Sequence, residues 1–137
     1  NYILTEFAYT SQFSSHTMEY FVKLTENYNM IPVLTHVERY PALINDPSII
    51  GELKDMGVII QTNTNSYTKK ASFFSKLKLI KLIKGGYIDV IGSDAHSLTH
   101  NDPRTFTEAL DFISAKCGQS TVRKMMSNAE EIFNSAL

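Results

Sequence analysis

Ile91-Gly92-Ser93-Asp94-Ala95-His96 decides how this chain is read, because the apolar run from Tyr87 to Ile91 passes directly into a polar Asp-x-His. Three other strand-sized runs rich in Ile, Val, Leu and Tyr precede it: Tyr2 to Phe7, Pro32 to Thr35 and Val58 to Thr62. Between them apolar residues recur with helical spacing, first Met18, Phe21, Val22 and Tyr28, then Phe73, Phe74, Leu77 and Ile80. After the fourth run, Phe106, Ala109, Leu110, Ile113 and Cys117 mark one amphipathic helix, and Val122 to Leu137 supplies one or two more. Gly57 and Gly85-Gly86 stand where helices should stop before strands. Parallel neighbours need long connections, so this alternation predicts the α/β class, with a parallel sheet and crossover helices. No low-complexity stretch or linker intervenes, and residues 1–137 read as a single domain.

The strand ends carry the polar residues. Glu6, His36, Asn63 and Asp94 fall at or just past the C-terminal ends of the four runs, at intervals of roughly 30 residues, the length of one β/α unit. Active sites of barrels and open α/β sheets are built at that edge. Four such side chains should therefore converge on one mouth.

Each candidate has a plainer reading beside the chemical one. In an extended segment Asp94 and His96 would point the same way and could share a metal, a carboxylate oxygen and an imidazole nitrogen suiting Mn, Fe or Zn; equally, Asp94 could cap a turn and His96 lie on the surface. His36, at the end of Pro32-Val33-Leu34-Thr35, is a ligand candidate or a hydrogen-bonded structural histidine. Arg39 suits bidentate recognition of phosphate, though most lone arginines are surface or ion-paired. Glu6 sits in an apolar strand, where a charge is costly unless paired or metal-bound; the alternative is an outward-facing carboxylate. His16 and His100 lie in polar, loop-like surroundings and receive no firm role.

Bulk properties narrow the classes. The chain has 137 residues, 43% hydrophobic and 20% charged, the composition of a globular domain with a real core. Its 13 basic and 14 acidic residues come in mixed order, which predicts no nucleic-acid partner and no electrostatic pull toward a membrane. No run approaches the ~18 apolar residues of a spanning helix. The single Cys117 excludes an internal disulfide, and with the missing leader pattern it suggests a cytoplasmic protein. Gly-rich phosphate loops, G-x-S-x-G and Cys-x-x-Cys motifs are absent, and Cys117 lacks the Arg-rich loop of a thiolate phosphatase. The chain opens at Asn1 without methionine and enters a strand almost at once, as a piece of a longer domain would.

Taken together, Tyr2-Ile3-Leu4-Thr5-Glu6-Phe7, Pro32 to Tyr40 with its His36-Val37-Glu38-Arg39-Tyr40 block, Gln61-Thr62-Asn63 and Ser93-Asp94-Ala95-His96 resemble successive blocks of a known group. They are similar, in order and spacing, to the PHP (polymerase and histidinol phosphatase) superfamily, specifically its bacterial protein-tyrosine phosphatases of capsule and exopolysaccharide clusters. The resemblance implies the C-terminal half of a distorted, TIM-like β/α barrel. It implies metal ligands at Glu6, His36, Asp94 and His96, catalytic roles for Arg39, Asp94 and His96, and a metal cluster, commonly of manganese, with Fe or Zn as alternatives. The group's opening His-x-His and other ligands belong to an N-terminal half, or an oligomer partner would have to complete the fold. The implied substrate is a phosphotyrosine protein, a cognate bacterial tyrosine kinase. A histidinol-phosphatase-like phosphoesterase of small molecules and a catalytically incomplete chain that only binds a partner are the rival expectations. Val37 and Ala8 replace prolines usual in the group, and Arg104 comes later than the arginine expected after the Asp-x-His block.

Overall fold

Four parallel strands occur in the order β1-β2-β3-β4, which is also their order in sequence. They are β1 (Tyr2–Thr5), β2 (Ile31–Leu34), β3 (Ile59–Asn63) and β4 (Val90–Gly92), as seen in a computed structural model that describes residues 1–97, 99 and 104–136. His100 lies outside the described residues. The register aligns Thr5 with Leu34, Leu34 with Ile60 and Asn63 with Gly92, so the four C-terminal ends form one rim.

The helices follow from local chemistry. α1 (Ser15–Val22) widens into a π turn over Lys23–Asn27. A short 3₁₀ turn at Val37–Arg39 leads from β2 to α2 (Pro41–Asn45) and α3 (Pro47–Asp55), each with a proline in its first turn, where the missing N–H costs nothing. The Asp46 carboxylate accepts from the Ser48 N–H at 3.2 Å and caps α3. α3 and α4 (Phe73–Lys84) end alike: Gly57 and Gly86 adopt φ of +88° and +78°, and the next N–H reaches back to Leu53 and Leu82 respectively, closing Schellman turns that favour glycine. α5 (Thr105–Cys117) precedes one long α6 (Gln119–Ser135), where the sequence left open one helix or two.

Leu34, Ile60 and Ile91 bring the sheet into one apolar cluster with Phe21, Leu43, Ile50, Leu53 and Ile113. β1 is the edge: Leu4 is 71% exposed, while its neighbours in β2 are buried. The described residues include no helix long and apolar enough to cross a membrane. Ile60→Ala is expected to cost about 2–5 kcal/mol by leaving a cavity in close-packed surroundings, whereas Leu4→Ser should change stability little; urea denaturation of both variants checks the contrast.

Candidate metal centre

β2 hands its polar block to the rim through a strained turn. His36 takes φ +41° and Asp94 φ +49°, two of only four non-glycine residues with positive φ among those described. Left-handed backbone at side chains of this kind costs ~1–3 kcal/mol and persists only where the surroundings impose it. At His36 the constraint is visible: its backbone N–H donates to Gln61 Oε1 at 2.6 Å, inside the fold. Gln61 Nε2 in turn donates to Asn63 Oδ1 at 3.0 Å, and Asn63 Nδ2 donates to Asp94 Oδ2 at 3.3 Å. The ends of β2, β3 and β4 are thereby linked, from the His36 backbone through the side chains of Gln61, Asn63 and Asp94. A Cβ at Gly92 would lie 2.8 Å from Gln61 Nε2, so a larger residue there would have to displace that amide.

A second network crosses the same region. The Glu38 carboxylate accepts from the Asn63 N–H at 2.7 Å, Ser66 Oγ at 2.7 Å and Thr62 Oγ1 at 3.2 Å. Thr62 Oγ1 lies 2.9 Å from the hydroxyl of buried Tyr67. Desolvation raises the Glu38 pKa, and the three hydrogen bonds pull against that rise. Burial also pushes the Tyr67 phenol well up, reinforced by the charge of Glu38.

His36 Nε2 lies 2.8 Å from Glu6 Oε2. The imidazole is buried, and its Nδ1 has no hydrogen-bond partner among the described residues. Glu6 differs from the expectation: it lies one residue beyond β1 and its side chain is 72% exposed, so the cost of burying a carboxylate is not what makes it notable. Its pairing with His36 is. Asp94 and His96 also come together differently than expected, because the left-handed Asp94 breaks the extended path that would align i and i+2. Instead His96 Nδ1 is 2.6 Å from the Asp94 carbonyl oxygen and 3.8 Å from Asp94 Oδ1. That contact places the proton on Nδ1 and leaves Nε2 as a lone-pair donor.

Arg39 reaches the Asp94 pair directly and the His36 pair only through Tyr9. Its guanidinium is 3.7 Å from Asp94 Oδ2, donates to the Tyr9 hydroxyl at 3.1 Å, and lies over the Tyr9 ring. Tyr9 packs edge-on against the His36 and Tyr40 rings. Glu6 and Asp94, together with Thr5, Thr35 and Gln61, line one cavity of about 500 Å³. The rim thus gathers all five residues named from sequence, and it adds Glu38, Gln61, Asn63 and Tyr9, of which only Asn63 had been marked as a strand-end residue.

The donor chemistry fits a divalent transition metal. Two ligands bound at about 2.0–2.2 Å to one ion stand roughly 3 Å apart, close to the Glu6–His36 separation. The number of donors does not complete a shell: among the described residues no three His, Cys, Asp or Glu side chains stand together closely enough to hold an ion. The rim offers two candidate pairs, Glu6 with His36 and Asp94 with His96.

Glu38→Ala should lower stability by about 2–3 kcal/mol, leaving the Asn63 N–H and two hydroxyls without their acceptor, while Glu38→Gln, which keeps one carbonyl acceptor, should lose less. A carboxyl whose folded pKa is raised contributes stability that is full below its unfolded pKa and is lost as pH rises through the folded value. Urea midpoints should therefore shift in favour of Glu38→Gln, relative to wild type, as pH climbs from below 4.5.

Comparison with known proteins shows the family of the chain. Residues 1–134 match the family model for capsular polysaccharide synthesis, CpsB/CapC. The tyrosine-protein phosphatase CpsB of Streptococcus pneumoniae is 32% identical over 99 residues, covering 69% of this chain and 40% of the relative. CpsB of Streptococcus agalactiae is 29% identical over 108 residues, covering 74% and 44%. A chain from the crystal structures of YwqE from Bacillus subtilis and CpsB from Streptococcus pneumoniae, metal-dependent tyrosine phosphatases, superposes with a TM-score of 0.82 at 25% identity over 94% of this chain and 51% of that one. The present chain spans less than half the length of the curated relatives it matches, and about half of the solved one. With its parallel β/α units and its rim of His, Asp and Glu, the chain belongs to the CpsB/CapC family.

Proposed function

We propose that the protein containing this chain is a metal-dependent protein-tyrosine phosphatase whose substrate is a phosphotyrosine protein, a bacterial tyrosine kinase of the capsule or exopolysaccharide system, and that it works in the cytoplasm. The observation that carries the reading is that Glu6–His36 and Asp94–His96 stand at a single rim, with Arg39 beside Asp94 and reaching His36 only through the Tyr9 ring. Relatives of the same family bear the name tyrosine-protein phosphatase, which supports the choice of substrate.

Glu6 and His36 would hold one ion, and Asp94 with His96 a neighbouring one, manganese being the preferred metal. The remaining donors come from outside these two pairs, as expected for a chain covering 40–44% of its relatives. When bound, the metal polarises the phosphate and lowers the pKa of the attacking water. Arg39 does the rest of the charge work: its fork binds two phosphoryl oxygens as negative charge grows on them in the transition state. Asp94 holds the guanidinium near the reacting group, and the Tyr9 hydroxyl fixes its other edge. Gln61 and Asn63 position His36 and Asp94 by hydrogen bonds.

In the full-length protein, His36→Ala and Asp94→Ala should each lower kcat for p-nitrophenyl phosphate and for a phosphotyrosine peptide by about 100-fold or more, in line with loss of a main electrostatic group. Chelation should abolish turnover and Mn2+ restore it. Unchanged turnover in either variant, or preference for histidinol phosphate over the phosphopeptide, would contradict the proposal.

A further inference from the structure

The chain-wide balance of charge conceals a local asymmetry. Between Asp55 and Asp89 there is no acidic residue, while six of the thirteen basic residues, Lys69, Lys70, Lys76, Lys78, Lys81 and Lys84, fall there, leaving seven basic against fourteen acidic residues elsewhere. α4 carries four of these lysines and turns three of them, Lys78, Lys81 and Lys84, outward. Its inner face is taken by Leu79, Ile80, Leu82 and Ile83, all buried in the core. Apart from Ser75, its exposed residues are Phe73, Phe74, Leu77, Lys78, Lys81 and Lys84.

Two of these are unusual for a water-facing helix. Phe73 is 57% and Phe74 78% exposed, side by side at the helix start, directly after the exposed Lys69 and Lys70. Isolated exposed apolar residues need no explanation, but adjacent aromatic rings framed by lysines do. None of the five exposed lysines enters an ion pair among the described residues. Lys78, Lys81 and Lys84 instead edge a hollow of about 720 Å³ beside Ser48 and Tyr87. Glu108 accepts from the Lys69 backbone N–H at 2.8 Å, and Glu38 shares a cavity with Lys78.

We infer that the outer face of α4 is a peripheral docking surface for an anionic lipid bilayer, with Phe73 and Phe74 seated among the headgroups and Lys69, Lys70, Lys78, Lys81 and Lys84 against lipid phosphates. Aromatic side chains beside lysines on one helix face are the pattern of interfacial adsorption, in which apolar area and charge attraction add. An acidic peptide would satisfy the lysines but leave the two rings without a matching apolar surface. Adsorption here has a directional consequence. α4 connects the C-terminal end of β3 to the start of β4, so its Phe73 end lies on the side of the sheet that bears the rim. A cavity lined by Glu38, Ser66, Ser72 and Lys78 joins the two regions. A bilayer seated on Phe73 and Phe74 would therefore lie beside the mouth of the proposed site. The inference does not depend on the phosphatase reading.

The test is sedimentation of the full-length protein with vesicles of phosphatidylcholine alone and with ~30% phosphatidylserine, at low and at high salt. The expected result is binding only to the anionic vesicles, lost at 0.5 M salt, and weakened about ten-fold by Phe73→Ala/Phe74→Ala and by Lys78→Glu/Lys81→Glu. Circular dichroism and Tm should stay unchanged, since all four positions are exposed. Equal binding to both vesicle types, no binding to either, or wild-type binding by both variants would overturn the inference. So would a concentration-dependent dimer that the Phe73→Ala/Phe74→Ala variant dissolves, because the occupant of the face would then be a second copy of the chain.

Discussion

The carboxylate of Glu38 holds the working end of the molecule together. It belongs to the turn that carries His36 and Arg39, yet its acceptors are spent on the end of β3, at the Asn63 N–H, Thr62 and Ser66. Asn63 then reaches Asp94 on the next strand end. Without that carboxylate the polar turn after β2 would be held to β3 by little more than the His36 N–H bond to Gln61, and the separation between Arg39 and Asp94 would be less constrained. A buried charge is costly unless its hydrogen bonds are complete; here three donors meet it, and the cost is offset by placing two strand ends against each other.

The strain at His36 and Asp94 fits the same scheme. Two residues with the chemistry of metal ligands adopt left-handed backbone, and the Gln61 side chain lies between them, bonded to the His36 N–H and, through Asn63, coupled to Asp94. Interior rigidity produces this: Gln61 and Asn63 are buried on β3, the sheet's second strand from the β4 edge, and neither can shift without breaking a backbone contact. Precision at the rim is therefore inherited from buried polar side chains on β3.

Much of this was legible in sequence, and the exceptions have physical causes. The four strands announced themselves as apolar runs, and the glycines at 57 and 86 marked helix ends through their backbone freedom. Strand-end spacing pointed to the rim positions of Glu6, His36, Asn63 and Asp94, and Arg39 and His96 came from the motifs that follow His36 and Asp94. The reason given for Glu6 did not hold, because β1 ends at Thr5 and leaves the carboxylate exposed. The extended geometry assumed for Asp94 and His96 failed because periodicity carries no information on a single left-handed residue. Glu38, Gln61 and Tyr9 went unassigned for a different reason: their partners are 24 to 31 residues away or more, or belong to another strand end, and only the tertiary approach of those ends reveals them. The basic face of α4 was hidden by averaging charge over the whole chain.

The central claim is that imidazole and carboxylate groups from separate strand ends jointly ligate metal at one rim. Anomalous diffraction from crystals of the full-length protein grown with Mn2+ tests it most directly. The account predicts manganese peaks within bonding distance of Glu6 and His36, and of Asp94 and His96. Manganese bound elsewhere, with Glu6 and His36 still hydrogen-bonded to each other as they are here, would contradict it.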